Sequence, residues 1–200
     1  YLICFRDFPV AIGITAGARE YLAADICLKY MKEAISEPCN EEQLEAAEKA
    51  LRAKLNSLSL VQPEGTFRTA RKEAAKLFDR KILFTENPRK VESVVFTKEG
   101  YRIKIEAVIN GEQKTLYASY KAWKRNNLYP DDFTKKYQSV AYAMDAEALY
   151  LSVGLINTSY KEEYSLWVNS EDKVIATWRP NVTYLPEEPD MVWKFTGTFE

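Results

Sequence analysis

Two hydrophobic periods divide this chain, a helical one in its first third and a strand-like one beyond it. From about Ala16 to Ile35, apolar side chains recur at Tyr21, Ala24, Cys27 or Leu28, and Met31, the spacing of one helix face. Residues 1–14 read as a loop or short strand leading into that helix, and Pro38 ends it. Asn40 is a natural N-cap for a second helix running to about Leu58, with Glu41, Glu42 and Glu45 near its positive end. After a Pro63-Glu64-Gly65 turn, a third helix is expected from Thr66 to about Lys81, on the stripe Phe67, Ala70, Ala74, Leu77 and Phe78.

The period then falls to two. Val91 to Thr97 is a β-branched run, and Tyr101, Ile103, Ile105, Ala107 and Ile109 alternate with Arg102, Lys104, Glu106 and Val108. Asn110-Gly111 is a strong hairpin signal, with Gln113 to about Tyr120 as the returning strand. If the turn has two residues, Glu106 pairs with Thr115, while Tyr117, Ser119 and Lys121 share its face. A basic loop follows from Lys121 to Asn127, and Pro130-Asp131 is expected to open a fourth helix. Its stripe is Phe133, Tyr137, Val140 or Ala141, Met144, Ala148 and Leu151. Short strands are expected at about 164–168, 174–178 and 191–195.

The chain has 200 residues, 46% of them hydrophobic and 28% charged, an ordinary composition for a protein with a real core. No apolar run reaches the roughly 20 residues needed to span a bilayer. There is no histidine, which excludes Ser-His-Asp and Cys-His catalysis and any zinc site with a His ligand. Cys4, Cys27 and Cys39 cannot all pair with one another, so a reducing, cytoplasmic compartment is expected. The Asn157 and Asn181 matches to an N-glycosylation pattern are read as coincidental. A net charge of −1 leaves any nucleic-acid contact to local clusters such as Lys121, Lys124 and Arg125.

Glu92, Glu106, the Ser119-x-Lys121 end of a strand and a downstream Gln138-x-x-x-Tyr142 together resemble the RecB-like branch of the PD-(D/E)XK nuclease superfamily. The resemblance covers about residues 66–180 and includes the gap of 13 residues (119 − 106) and the helix, three strands, helix, strand order. It implies an α+β chain: a helical N-terminal region over 1–65, then a restriction-endonuclease-like αβββαβ core over 66–200 with a mixed central sheet. It further implies a metal-dependent deoxyribonuclease of recombination, repair or replication, from a bacterial, phage or viral source, hydrolysing phosphodiesters with Mg²⁺ or Mn²⁺. Carried over to this sequence, Glu106 and Glu92 stand as metal ligands, Lys121 as the catalytic lysine, and Gln138 and Tyr142 as DNA contacts, with Trp123, Lys124 and Arg125 holding the backbone or stacking a base. Ser119 departs from the family's carboxylate and would weaken the metal. The alternative is therefore an inactive nuclease fold that holds DNA or docks onto proteins of a recombination or phage complex. An unrelated α+β interaction domain is a third reading.

Overall fold

The computed structural model of the chain describes residues 2–6, 10–13, 22–36, 40–66, 72–133, 135–181 and 191–200. It divides into two units, Tyr1–Val61 and Gln62–Glu200. In the first, β1 (Leu2–Cys4) and β2 (Ala11–Gly13) form a short antiparallel pair, and α1 (Leu22–Ser36) and α2 (Glu41–Ser57) follow. α2 begins where Asn40 places it. The Asn40 side chain accepts from the Gln43 N–H, and the Gln43 side chain accepts from the Asn40 N–H, each at 2.9 Å, a capping box that satisfies two otherwise orphaned donors. Among the described residues no helix is long and apolar enough to cross a membrane. Pro38 and Cys39, like Ala16 to Tyr21 of the expected first helix, lie outside them.

In the second unit the first regular element is a 3₁₀ turn, Lys72–Leu77, and every later one among the described residues is a strand. These are β3 (Lys81–Phe84), β4 (Val91–Glu99), β5 (Arg102–Ile109), β6 (Glu112–Tyr120), β7 (Lys124–Asn127), β8 (Tyr137–Met144), β9 (Ala148–Leu155), β10 (Lys161–Val168), β11 (Val174–Pro180) and β12 (Trp193–Phe199). The sheet order is β6-β5-β4-β3-β12-β11-β10-β9-β8-β7, with every neighbour antiparallel. Parallel pairing of Ser119 with Ala141 and Tyr120 with Tyr142 joins β6 back to β8 and closes the sheet into a barrel. Closure removes the exposed sheet edges that an open sheet of this size would present.

The Asn110-Gly111 turn sets the register. Asn110 and Gly111 take φ of 51° and 77°, the left-handed conformations of a two-residue hairpin turn. Ile109 therefore pairs with Glu112, and Glu106 with Thr115, as the alternation predicts. With that parity Ile103, Ile105 and Ala107 of β5, and Leu116 and Ala118 of β6, are buried inside the barrel. The 3₁₀ turn closes one end. Ala74 and Leu77 are fully buried, and the Ala74 N–H reaches the carbonyl of Ala146 in the β8–β9 turn.

At the closure a side chain replaces a stretch of ladder. In a two-residue hairpin the hydrogen-bonded pairs alternate from 109/112 through 107/114 to 105/116, so the N–H and C=O of Tyr117 point away from β5. Neither has a strand partner on that side. The Asn126 side chain of β7 fills both roles: its Oδ1 accepts from the Tyr117 N–H at 2.7 Å, and its Nδ2 donates to the Tyr117 carbonyl at 3.0 Å. The same amide nitrogen also donates to the carbonyl of Lys124 at 2.9 Å.

This architecture corrects the expected fold. Among the described residues of 130–151 there is no helix: turns precede β8, which a turn at Asp145–Glu147 links to the first part of β9. The misreading has a physical cause. Gln138, Val140, Tyr142 and Met144 face the barrel interior, yet Ala141 and Ala143 on the other parity are also buried, so apolar residues occupy both faces and the period of two disappears. Gly65 shows what covers that outer face: a Cβ there would sit 2.7 Å from the carbonyl of Met144 and 2.9 Å from the Ala143 side chain. Of the expected third helix, the described residues show a 3₁₀ turn over Lys72–Leu77, and residues 67–71, with Phe67 and Ala70 of its stripe, lie outside them. A ring of antiparallel strands with a single parallel closure has no place for the αβββαβ core and mixed sheet of a PD-(D/E)XK nuclease, and that resemblance does not hold.

Candidate functional site

The same hairpin register takes the expected nuclease site apart. Ser119 lies four residues (119 − 115) and Lys121 six (121 − 115) beyond the partner of Glu106, roughly 13 Å and 20 Å along the strand. Glu106 is on the outer face, ion-paired with Lys104 at 3.0 Å. Glu92 uses its carboxylate to accept the Gly111 N–H at 2.7 Å, and it sits at a bulge opposite the Val108–Ile109 end of β5. Lys121 is a turn residue with φ of 43°, its N–H bonded to the Tyr142 carbonyl and its ammonium near the Tyr120 ring. These residues do not fit a dication site, and among the described residues no cluster of three or more Cys, Asp and Glu could hold a metal.

The expected DNA contacts fare no better. Gln138 and Tyr142 do share a face, because positions i and i+4 coincide on a strand as they do on a helix. That face is the barrel interior, where Tyr142 is 0% exposed and packs on Tyr120, out of reach of any nucleic acid. Arg125 stacks on Tyr137 at 3.8 Å, Lys124 lies on β7 paired with Val140, and Trp123 is half-buried beside it. Neither a DNA nuclease nor a DNA-holding module of a recombination or phage complex survives this geometry.

What the strands do build is an internal cavity of about 130 Å³. It occupies the barrel toward the end that carries the Asn110-Gly111 turn, away from the 3₁₀ turn. Most of its wall is apolar, from residues such as Val94, Phe96, Ile105, Leu151 and Phe195. The polar part comes from Arg89 in the β3–β4 connection, Gln138 at the start of β8, Glu162 and Tyr164 on β10, and Tyr129.

Arg89, Glu162 and Tyr164 form a closed triad. An Arg89 Nη lies 3.1 Å from the Glu162 carboxylate, Arg89 Nε donates to the Tyr164 hydroxyl at 3.3 Å, and that hydroxyl donates to Glu162 at 2.7 Å. Burial, reinforced by the negative charge of Glu162, pushes the Tyr164 phenol well above its ordinary range. Burial works against the Arg89 guanidinium, but Tyr164 and Glu162 outweigh it and raise its pKa, so the guanidinium keeps its charge. The guanidinium also lies 5.4 Å from the ring of Trp178, whose indole N–H is buried without a hydrogen-bond partner among the described residues.

The sequence reading did not single out Arg89, Glu162 or Tyr164. One signal was there: Glu162, Tyr164, Leu166 and Val168 have one parity, so a charged residue sits on the buried face of an otherwise apolar strand.

No protein-family model matches the chain, and no curated protein does. Several solved structures are similar to it in backbone. The fatty-acid-binding protein of Manduca sexta matches with a TM-score of 0.40 at 12% identity, over 54% of this chain and 73% of that one. Apo lipid binding protein 8 of Caenorhabditis elegans matches at 0.48 and 7%, over 66% of this chain and 100% of its own. A fatty acid transporter titled REP1-NXSQ matches at 0.45 and 12%, over 63% and 97%.

Proposed function

We propose that the Gln62–Glu200 barrel is a binding protein for a small, mainly apolar molecule held inside it. The observation that carries this reading is the cavity: about 130 Å³ of space within a closed barrel, walled mostly by hydrocarbon and aromatic side chains, with a few convergent polar groups. Well-packed interiors rarely leave such room, because a void forfeits dispersion contacts on every wall. An apolar cavity of about 150 Å³ accommodates benzene, so this one suits a ligand of about that size, with side-chain adjustment for one of seven or eight non-hydrogen atoms. At an intermediate ligand efficiency of about 0.7 kcal/mol per atom, a seven-atom ligand would bind with a Kd near 0.2 mM.

The test is titration with benzene and hexan-1-ol, following methyl NMR signals of Val94, Ile105 and Leu151, which line the cavity. Saturable shifts are expected, together with about 1 kcal/mol of added stability at five times Kd. Ala107→Phe, which fills the cavity from β5, should abolish both effects while the barrel still unfolds cooperatively. Absence of saturable shifts in the wild-type protein would refute the reading.

A further inference from the structure

Resting on that binding reading, we propose that the cavity takes neutral ligands bearing a hydrogen-bonding polar end, received by the Gln138 amide, and discriminates against carboxylates of the same size. Arg89 and Glu162 are the charged side chains of the cavity wall, and they neutralise each other within the triad. A carboxylate entering the cavity loses its hydration and meets no uncompensated cation, while Glu162 repels it. Desolvation of an unpaired charge is the larger penalty, and an uncharged amide or hydroxyl of equal size avoids it.

Gln138 supplies the other half of the argument. It is 9% exposed, lines the cavity, and its backbone carbonyl accepts from Asn126, but its side-chain amide has no hydrogen-bond partner among the described residues. Its primary amide offers two donors and an acceptor to a molecule held in the cavity. The Arg89, Glu162 and Tyr164 groups of the same cavity wall bond to one another. A ligand amide, carbonyl or hydroxyl meets the Gln138 side chain on equal terms, since neither partner carries a charge.

The experiment compares hexanamide with hexanoate at pH 7, a pair alike in size and differing in charge, using the full chain and the NMR readout above. Hexanamide is expected to bind at least tenfold more tightly than hexanoate. In Glu162→Gln, which frees Arg89, that ratio should fall by tenfold or more; in Gln138→Leu, the hexanamide-to-benzene affinity ratio should fall about tenfold. Thermal unfolding of each variant checks that it folds, and the wild-type ratio needs no variant. Equal binding of the two probes by wild-type protein, or an unchanged ratio in folded Glu162→Gln, overturns the proposal while leaving the binding reading intact. Failure of benzene and hexanamide alike removes both.

Discussion

Replacing Asn126 by Ala should loosen the barrel at its seam. The side chain is 8% exposed and provides the only partners seen on that side of β6 for the Tyr117 N–H and C=O among the described residues. Its loss strands both groups in a part-buried position, at about 1–3 kcal/mol each, so the expected cost is about 2–6 kcal/mol. That is a large share of the 5–15 kcal/mol typical of a whole domain. With a urea m-value of about 2 kcal/mol/M, the midpoint should fall by about 1–3 M. Asn126→Asp should do no better than Ala: it keeps an acceptor for the Tyr117 N–H but turns negative charge toward the carbonyls of Tyr117 and Lys124, where the amide had donated. Urea unfolding followed by tryptophan fluorescence measures both variants. A midpoint for Asn126→Ala within about 0.3 M of wild type would refute the reasoning, because the seam would then be held by the β6–β8 and β7–β8 pairings alone.

Three further outcomes are expected. Gly111→Ala forces a side chain into a φ of 77°, and should lower stability by about 1 kcal/mol in the same urea assay. Gly65→Ala places a methyl 2.7 Å from the Met144 carbonyl, a backbone atom that cannot step aside, and should cost about 1–3 kcal/mol. Burial alone would raise the Asp145 carboxyl, but hydrogen bonds from the Tyr150 hydroxyl and the N–H groups of Glu147 and Ala148 prevail and hold it below its ordinary value of 3.8. A carboxyl depressed in the folded state adds stability above its unfolded pKa and loses it as pH falls through the folded one. The gap in urea midpoint between wild type and Asp145→Asn should therefore be full at pH 6 and shrink as the pH is taken below 3.8. The Tyr150 phenol, pushed up to about 12 by burial and by Asp145, should remain protonated throughout that range.

The local signals in the sequence were strong wherever one face of an element is buried and the other wet. Asn40 begins α2, the alternation from Ile103 to Ile109 gives β5, and Asn110-Gly111 fixes the pairing of Glu106 with Thr115, because each depends on neighbours a few residues away. β8 was illegible because both its faces are covered: Ala141 and Ala143 are buried on the outside, so the apolar residues of 137–151 also satisfy a helical spacing. Ring closure was beyond the sequence too, since it rests on Ser119 and Tyr120 meeting Ala141 and Tyr142 and on one amide at Asn126. No local pattern encodes such long-range pairing. The site follows the same rule. Arg89, Gln138, Glu162 and Tyr164 come from separate strands and a loop, and only the curvature of the closed sheet brings them to one cavity. The sequence determined which residues could face inward; the tertiary structure decided what they face.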